Sequence, residues 1–141
     1  MNILIVCTGN TCRSPMGAAL LRLLSESRVP RVAIDSAGVR AELGAPAAEE
    51  AIRVMGELGI DISSHTSKPV TSELLLWADN VVVVEKSLGK DLKDQFGELD
   101  SKLCALRSDV SDPFQGSTAK YRGARDQLNQ LLLLWSEAFL F

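Results

Sequence analysis

An apolar run, Asn2-Ile3-Leu4-Ile5-Val6, stops at Cys7 and gives way to a polar loop, Thr8-Gly9-Asn10-Thr11-Cys12, then Arg13-Ser14-Pro15 and a leucine- and alanine-rich stretch. A run this short and apolar throughout reads as a buried strand. Ser14 as N-cap and Pro15 at the first helical position predict a helix carried by Met16 to about Glu26. A strand that feeds a helix through a short polar loop limits the fold to a few architectures, because the strand must be covered on both faces.

The rest of the chain continues the alternation. Val32 to Ser36 predicts a second strand, followed by a loop from Ala37-Gly38 to Pro46. Ala51, Ile52, Met55 and Leu58 stand at helical spacing within a helix expected over Ala47–Leu58, with Gly59 as its stop. A shorter helix is expected over Ser72–Ala78. Asn80-Val81-Val82-Val83-Val84 is β-branched almost throughout and reads as a buried strand. Ser87–Phe96 reads as a helix ending near Gly97, Leu103–Leu106 as a fourth strand, Asp109–Gly116 as loop, and Thr118–Phe139 as a long terminal helix. The expected fold is α/β, a four-stranded parallel sheet with helices on both faces, in a single domain spanning 1–141. Ligands of such sheets bind outside the carboxyl ends of the strands. The loops Cys7–Ser14 and Asp109–Gly116 both sit there.

Cys7 and Arg13 are separated by five residues. That length lets the backbone curl into a ring whose N–H groups make a nest for a tetrahedral anion, and the following helix adds its orphan donors and positive dipole end. Thr8, Gly9, Asn10, Thr11, Cys12, Arg13 and Ser14 make up the anion loop. Gly9 allows a tight turn and close approach. Asn10 tolerates the left-handed region. Arg13 presents a planar fork that matches two oxygens of a phosphate. The same field favours the thiolate, which is the nucleophilic form of a cysteine, and the Ser14 hydroxyl is placed to donate to the sulfur. A lone Cys-x5-Arg also arises by chance, and a cysteine after a strand is often a small core hydrophobe. The strand before the loop, Gly9 and Asn10 within it, and the Ser-Pro helix start after it favour chemistry.

Composition removes other classes. Net charge is −3, so no bulk basic field exists to hold nucleic acid. Residues 1–6 lack the positive region of a secretory leader, and the apolar run Leu131–Trp135 falls far short of a membrane span. Three cysteines without a Cys-x-x-Cys pair suit free thiols in a reducing compartment, so a cytoplasmic protein is expected. His65 is the only histidine, which leaves no zinc-type thiol–imidazole cluster and no expected metal or cofactor. No Gly-x-Ser-x-Gly elbow is present.

The stretch Val6-Cys7-Thr8-Gly9-Asn10-Thr11-Cys12-Arg13-Ser14-Pro15 resembles the signature of the low-molecular-weight protein tyrosine phosphatases. Asp35-Ser36-Ala37-Gly38, Gly59-Ile60-Asp61 with Ser64-His65, and Asp112-Pro113-Phe114 resemble further motifs of that family in order, over essentially the whole chain. The resemblance implies a phosphatase acting on phosphorylated proteins and releasing inorganic phosphate. Cys7 would be the nucleophile, Arg13 the phosphate clamp and Asp112 the general acid, with Asn10, Ser14, Ser36 and His65 as a hydrogen-bonded set holding the loop. Asp109 is a rival acid, although Pro113 holds Asp112 extended. Cys12 is implied to form a protective disulfide with the nucleophile under oxidation, or else to pack beneath the loop. Cys104, in a predicted strand, reads as inert core.

Three departures bear on substrate. Thr11 stands where tyrosine-directed members carry a branched apolar residue and resembles the bacterial protein-arginine phosphatase branch, as does Phe114 in place of tyrosine. The loop after Gly38, including Glu42 and Leu43, has no aromatic side chain. The expected substrate pocket is Thr11, Glu42, Leu43 and Phe114, with phosphoarginine modestly favoured over phosphotyrosine. A thiol-dependent arsenate reductase uses the same loop but needs two further cysteines in a suitable pair; a silent phosphate sensor would lack the cysteine or the acid. The terminal Phe139-Leu140-Phe141 reads as core or as a dimer contact, and the sequence does not set the oligomeric state.

Overall fold

The computed structural model describes residues 1–27 and 31–140; Phe141, at the tip of the terminal segment, lies outside them. In chain order the elements are β1 (Asn2–Cys7), α1 (Arg13–Ser25), β2 (Ala33–Gly38), α2 (Glu49–Gly56), α3 (Ser72–Trp77), β3 (Asn80–Val83), α4 (Lys86–Phe96), β4 (Leu103–Ala105) and α5 (Thr118–Phe139). The four strands form one sheet in the order β2-β1-β3-β4, and every pairing is parallel.

That order explains how both faces are covered. The crossover from β1 through α1 moves to one side of β1, while the crossover from β3 through α4 moves to the other. Parallel crossovers share one hand, so α1 and α4 fall on opposite faces. α5 packs along α1, and α4 packs on β3 and β4. Ile3, Leu4, Ile5, Val6, Val81, Val82 and Val83 are essentially inaccessible to solvent, as strands enclosed on two faces must be. No helix among the described residues is long and apolar enough to cross a membrane.

Boundaries differ from expectation where tertiary pairing decides them. β2 runs on through Ala37 and Gly38 because Val6 pairs with Ala37 and Cys7 with Gly38. α1 begins at Arg13 with Cys12 in the cap position and no side-chain cap. Ser14 is therefore inside the helix and not its N-cap: its hydroxyl is engaged by Cys7 and Asn10. Pro15 still sits in the first turn, where its missing N–H has no intrahelical partner to lose. α2 ends near Gly59, which takes φ +73 and whose N–H reaches the Gly56 carbonyl at 3.0 Å. α5 is capped by Ser117, whose hydroxyl accepts from the Lys120 N–H at 3.2 Å. Arg125 ties α5 to α2, donating to the Val54 carbonyl at 2.9 Å and to Glu57 at 2.7 Å. Of the terminal residues, Leu140 is buried and Phe139 exposed, its ring stacked on Trp135 at 5.5 Å.

Candidate functional site

β1 delivers Cys7 to the carboxyl edge of the sheet, and α1 returns Arg13 and Ser14 to the same place. The loop between them closes around Asn10, which adopts φ +57 and is fully buried. Its backbone N–H donates to Cys7 Sγ at 3.2 Å. Its Nδ2 donates to Ser14 Oγ at 2.7 Å and to Ser36 Oγ at 3.0 Å. Its Oδ1 accepts from the Lys68 N–H at 3.0 Å, and its carbonyl accepts from His65 Nε2 at 2.7 Å. One residue in the left-handed region thus gathers, through backbone and side chain together, groups from β1, α1, β2 and the segment 65–68. Ser14 Oγ lies 2.8 Å from Cys7 Sγ, which places a hydroxyl dipole against the sulfur.

Neighbouring backbone holds the loop from outside. The Val39 and Arg40 N–H groups donate to the Cys7 and Thr8 carbonyls at 3.0 and 2.9 Å, and the Ala48 N–H donates to Thr11 at 2.9 Å. Lys68 adds a second tie through Nζ to Asp35 at 2.6 Å.

Arg13 is buried beneath the loop. Its guanidinium is ion-paired to Glu85, donates to the Val110 carbonyl at 2.9 Å, reaches Thr8 Oγ1 at 3.4 Å, and stands 3.6 Å from Asp112 Oδ2. Asp112 is half-exposed, and its Oδ1 accepts from the Phe114 N–H at 3.1 Å. That bond, with Pro113, sets the carboxylate's direction. Asp109, the rival acid, is occupied elsewhere: its Oδ1 accepts from the Lys86 N–H at the start of α4 at 3.0 Å.

A cavity of about 370 Å³ opens over the loop, lined by Cys7, Thr8, Gly9, Thr11, Cys12 and Arg13 at its floor and by Asp112 and Phe114 on one wall. The opposite wall brings in Arg40, Glu42, Ala45 and Ser67. Leu43 is not part of it: its side chain is 83% exposed, because the chain bends at Leu43-Gly44 while Ser67 clamps the flanking backbone, donating to the Glu42 carbonyl at 2.7 Å and accepting from the Ala45 N–H at 3.0 Å. Asn10, Ser14, Ser36 and His65 lie behind the floor and support it without lining the cavity.

Cys12 faces the cavity yet is buried, with Sγ 3.3 Å from Tyr121 Oη. Burial pushes the Cys12 thiol up, against the opposing effect of the Tyr121 hydrogen bond, so it is protonated at neutral pH. Burial likewise pushes the Tyr121 phenol far up. Cys104 is half-buried in β4, two strands away from β1, and burial raises its thiol too.

Several residues here escape a reading of sequence alone. Glu85 and Lys68 look like solvated charges after a strand and in a loop; Arg40, Ser67 and Tyr121 carry no local signal. Glu85 alone offers a hint, since a carboxylate at the carboxyl end of the strand next to β1 faces whatever cation that loop contains.

The arrangement presents a thiol at the floor of a cavity, a buried guanidinium beside it and a carboxylate on one wall. Over residues 2–139 the chain matches the family described as Low molecular weight phosphotyrosine protein phosphatase. It is 38% identical over 139 residues to a protein-arginine-phosphatase of Bacillus subtilis, covering 94% of this chain and 92% of that protein. It is 32% identical over 137 residues to a probable low molecular weight protein-tyrosine-phosphatase, EpsP, of Ralstonia nicotianae, covering 94% and 92%. Among solved structures, a Cys-to-Ser variant of the YwlE arginine phosphatase with a phosphorylated active-site serine superposes with a TM-score of 0.92 at 36% identity, covering 98% of this chain and 95% of that one. By motif, fold and extent of similarity, this chain belongs to the low-molecular-weight phosphotyrosine protein phosphatase family.

Proposed function

We propose that this protein is a cysteine-based protein phosphatase that works through a cysteinyl-phosphate intermediate and favours phosphoarginine over phosphotyrosine. The observation that carries the reading is Cys7 Sγ at the floor of the cavity, held by the Asn10 N–H and Ser14 Oγ, with Arg13 and Asp112 beside it.

In the first step the Cys7 thiolate attacks phosphorus. The S–P bond forms as the bond to the leaving nitrogen or oxygen breaks, and that atom keeps the electron pair. Asp112, protonated, supplies its proton. Loop N–H groups and the Arg13 fork hold the three equatorial oxygens as charge builds on them. In the second step water attacks phosphorus, the Asp112 carboxylate takes a proton from it, and the S–P bond breaks. The pair returns to sulfur as thiolate, eased by Ser14 Oγ, and inorganic phosphate leaves. The related structure with a phosphorylated active-site serine supports a covalent intermediate.

The preference for phosphoarginine rests on the walls. Among the described lining residues Phe114 is the one aromatic, and it is 60% exposed. A phenyl ring would stack on one side only. Thr11 adds a hydroxyl to the cavity lining, and Glu42 and Asp112 add carboxylates, which suit a guanidinium leaving group. The relative named a protein-arginine-phosphatase supports the same choice. Free thiols at Cys7, Cys12 and Cys104 fit a cytoplasmic site of action. The arsenate-reductase alternative is disfavoured, because Cys104 lies two strands from β1 and Cys12 is engaged with Tyr121.

The test is phosphate release from matched phosphoarginine and phosphotyrosine peptides in reducing buffer, with Cys7→Ser alongside. Faster release from phosphoarginine is expected, with none from Cys7→Ser. Faster release from phosphotyrosine overturns the preference. Release from neither, or undiminished release by Cys7→Ser, overturns the phosphatase assignment.

A further inference from the structure

The segment that carries Asp112 is anchored unevenly. Upstream it is held by backbone: the Val110 N–H donates to the Val84 carbonyl at 2.9 Å, and the Val110 carbonyl accepts from Arg13 at 2.9 Å. Asp112, Phe114 and Gln115 themselves are exposed. Downstream the chain makes a tight turn, with the Gly116 N–H on the Pro113 carbonyl at 2.7 Å and Gln115 at φ +61, and passes straight into the first turn of α5. A β-carbon at Gly116 would stand 2.8 Å from the Pro113 carbonyl, so this turn is closely packed. It is joined to the helix start with no intervening loop.

Tyr121 lies in that first helical turn. Its backbone N–H donates to the Ser117 carbonyl at 3.2 Å. Its side chain, 3% exposed, runs beneath the acid turn to Cys12 Sγ, 3.3 Å from the phenol oxygen. On the far side of the helix start, Thr118 Oγ1 donates to Glu50 at 2.6 Å, a tie to α2 and not to the anion loop.

We propose that Tyr121 is a positioning residue for the phosphatase reaction: through its hydroxyl it sets the distance between the Asp112 turn and the Cys7–Arg13 loop. The inference rests on the phosphatase reading of the site. Tyr121 touches neither substrate nor reacting atoms; its hydroxyl holds Cys12, and its backbone belongs to the helix start that continues from the acid turn. Its loss leaves nucleophile, anion nest and Arg13 in place and lets the carboxylate wander.

A wandering acid has a specific signature. Proton donation matters most when the leaving oxygen is strongly basic and least when it is a stable anion. Tyr121→Phe keeps the ring and deletes the hydroxyl. It is expected to lower kcat/KM for phenyl phosphate about tenfold, a fraction of what a general acid contributes, and to change kcat/KM for 4-nitrophenyl phosphate by less than about twofold. With Asp112→Asn already present, adding Tyr121→Phe is expected to change phenyl phosphate turnover by less than about twofold, because the two residues act as one unit. The ratio of the two kcat/KM values does not depend on how much of the variant is folded, which keeps the idea testable if Tyr121→Phe unfolds in urea far earlier than the native protein. Equal losses on both esters, or a Tyr121→Phe loss that persists beside Asp112→Asn, would overturn the assignment of Tyr121 alone. Failure of the native protein to hydrolyse either ester would overturn the phosphatase reading and this inference with it.

Discussion

Gly38 ends β2 so close to Thr8 that a β-carbon on it would stand 2.5 Å from the Thr8 carbonyl oxygen and 2.9 Å from the Asn10 nitrogen. Both are backbone atoms of the anion loop, and neither yields without moving the loop. Gly38→Ala is therefore expected to cost about 2 kcal/mol of stability by overpacking. It should also lower kcat/KM on any phosphate ester, because the N–H groups proposed to hold the phosphate shift with the loop. Urea unfolding and turnover of 4-nitrophenyl phosphate check the two effects together; a variant with native stability and native turnover would show that the loop adjusts freely.

Glu85 is the carboxylate partner of a guanidinium that is only 2% exposed. Truncating it leaves Arg13 with the Val110 carbonyl, Thr8 and the more distant Asp112. Removing one member of a fully buried pair costs about 3–5 kcal/mol. Glu85 is 30% exposed, which lets water relieve part of that, so Glu85→Ala is expected to lose about 2 kcal/mol. Inorganic phosphate should restore more stability to this variant than to the native protein, since the anion supplies the missing charge. Melting curves with and without phosphate decide it.

Asp112 and Asp109 separate the two candidate acids. Asp112 lines the cavity, and Asp109 serves the start of α4. Asp112→Asn is expected to lower kcat/KM on a phosphoarginine peptide by about 100-fold or more, the range of a lost general acid. Asp109→Asn, which keeps an oxygen for the Lys86 N–H, should stay within about twofold. Steady-state kinetics on the two variants suffice, and a reversed order would assign the proton to Asp109.

Far from the site, Glu57 is held at about 2, against an ordinary value of 4.5, first by its hydrogen bond to Arg122 and then by that to Arg125. A carboxyl whose value falls on folding stabilises the fold above its unfolded value and loses that contribution as pH drops through the folded one. Glu57→Gln should therefore be less stable than the native protein at pH 7, and the gap should close between about pH 4.5 and pH 2. Urea midpoints across that range test the sign; a gap that widens on acidification would contradict it.

Local signals made β1, the loop and α1 legible, because one apolar run, one Cys-x5-Arg spacing and one Ser-Pro pair occur within a dozen or so residues. The expectation that Ser14 caps the helix failed because the hydroxyl is used by Cys7 and Asn10, and backbone propensity does not register that competition. Ser36 and His65 reach Asn10 across 26 and 55 residues. Only the pairing of β2 with β1 and the course of the 65–68 segment bring them there, so family resemblance was needed to nominate them. Leu43 was placed in the pocket by its neighbourhood in sequence, and the clamp by Ser67 turns it outward. Arg40 and Tyr121 stayed hidden for the converse reason: each carries an ordinary surface or core pattern, and its partner is contributed by a distant element.

In the proposed reaction Arg13 meets an incoming phosphate already engaged with Glu85, the Val110 carbonyl and Asp112. Its charge is shared before the anion arrives, so it orients oxygens more than it adds to resting attraction. A bare buried cation would retain inorganic phosphate and throttle each new cycle. On the proposed reading, a pre-neutralised one is expected to hold the product more loosely, so that the pocket empties for the next substrate.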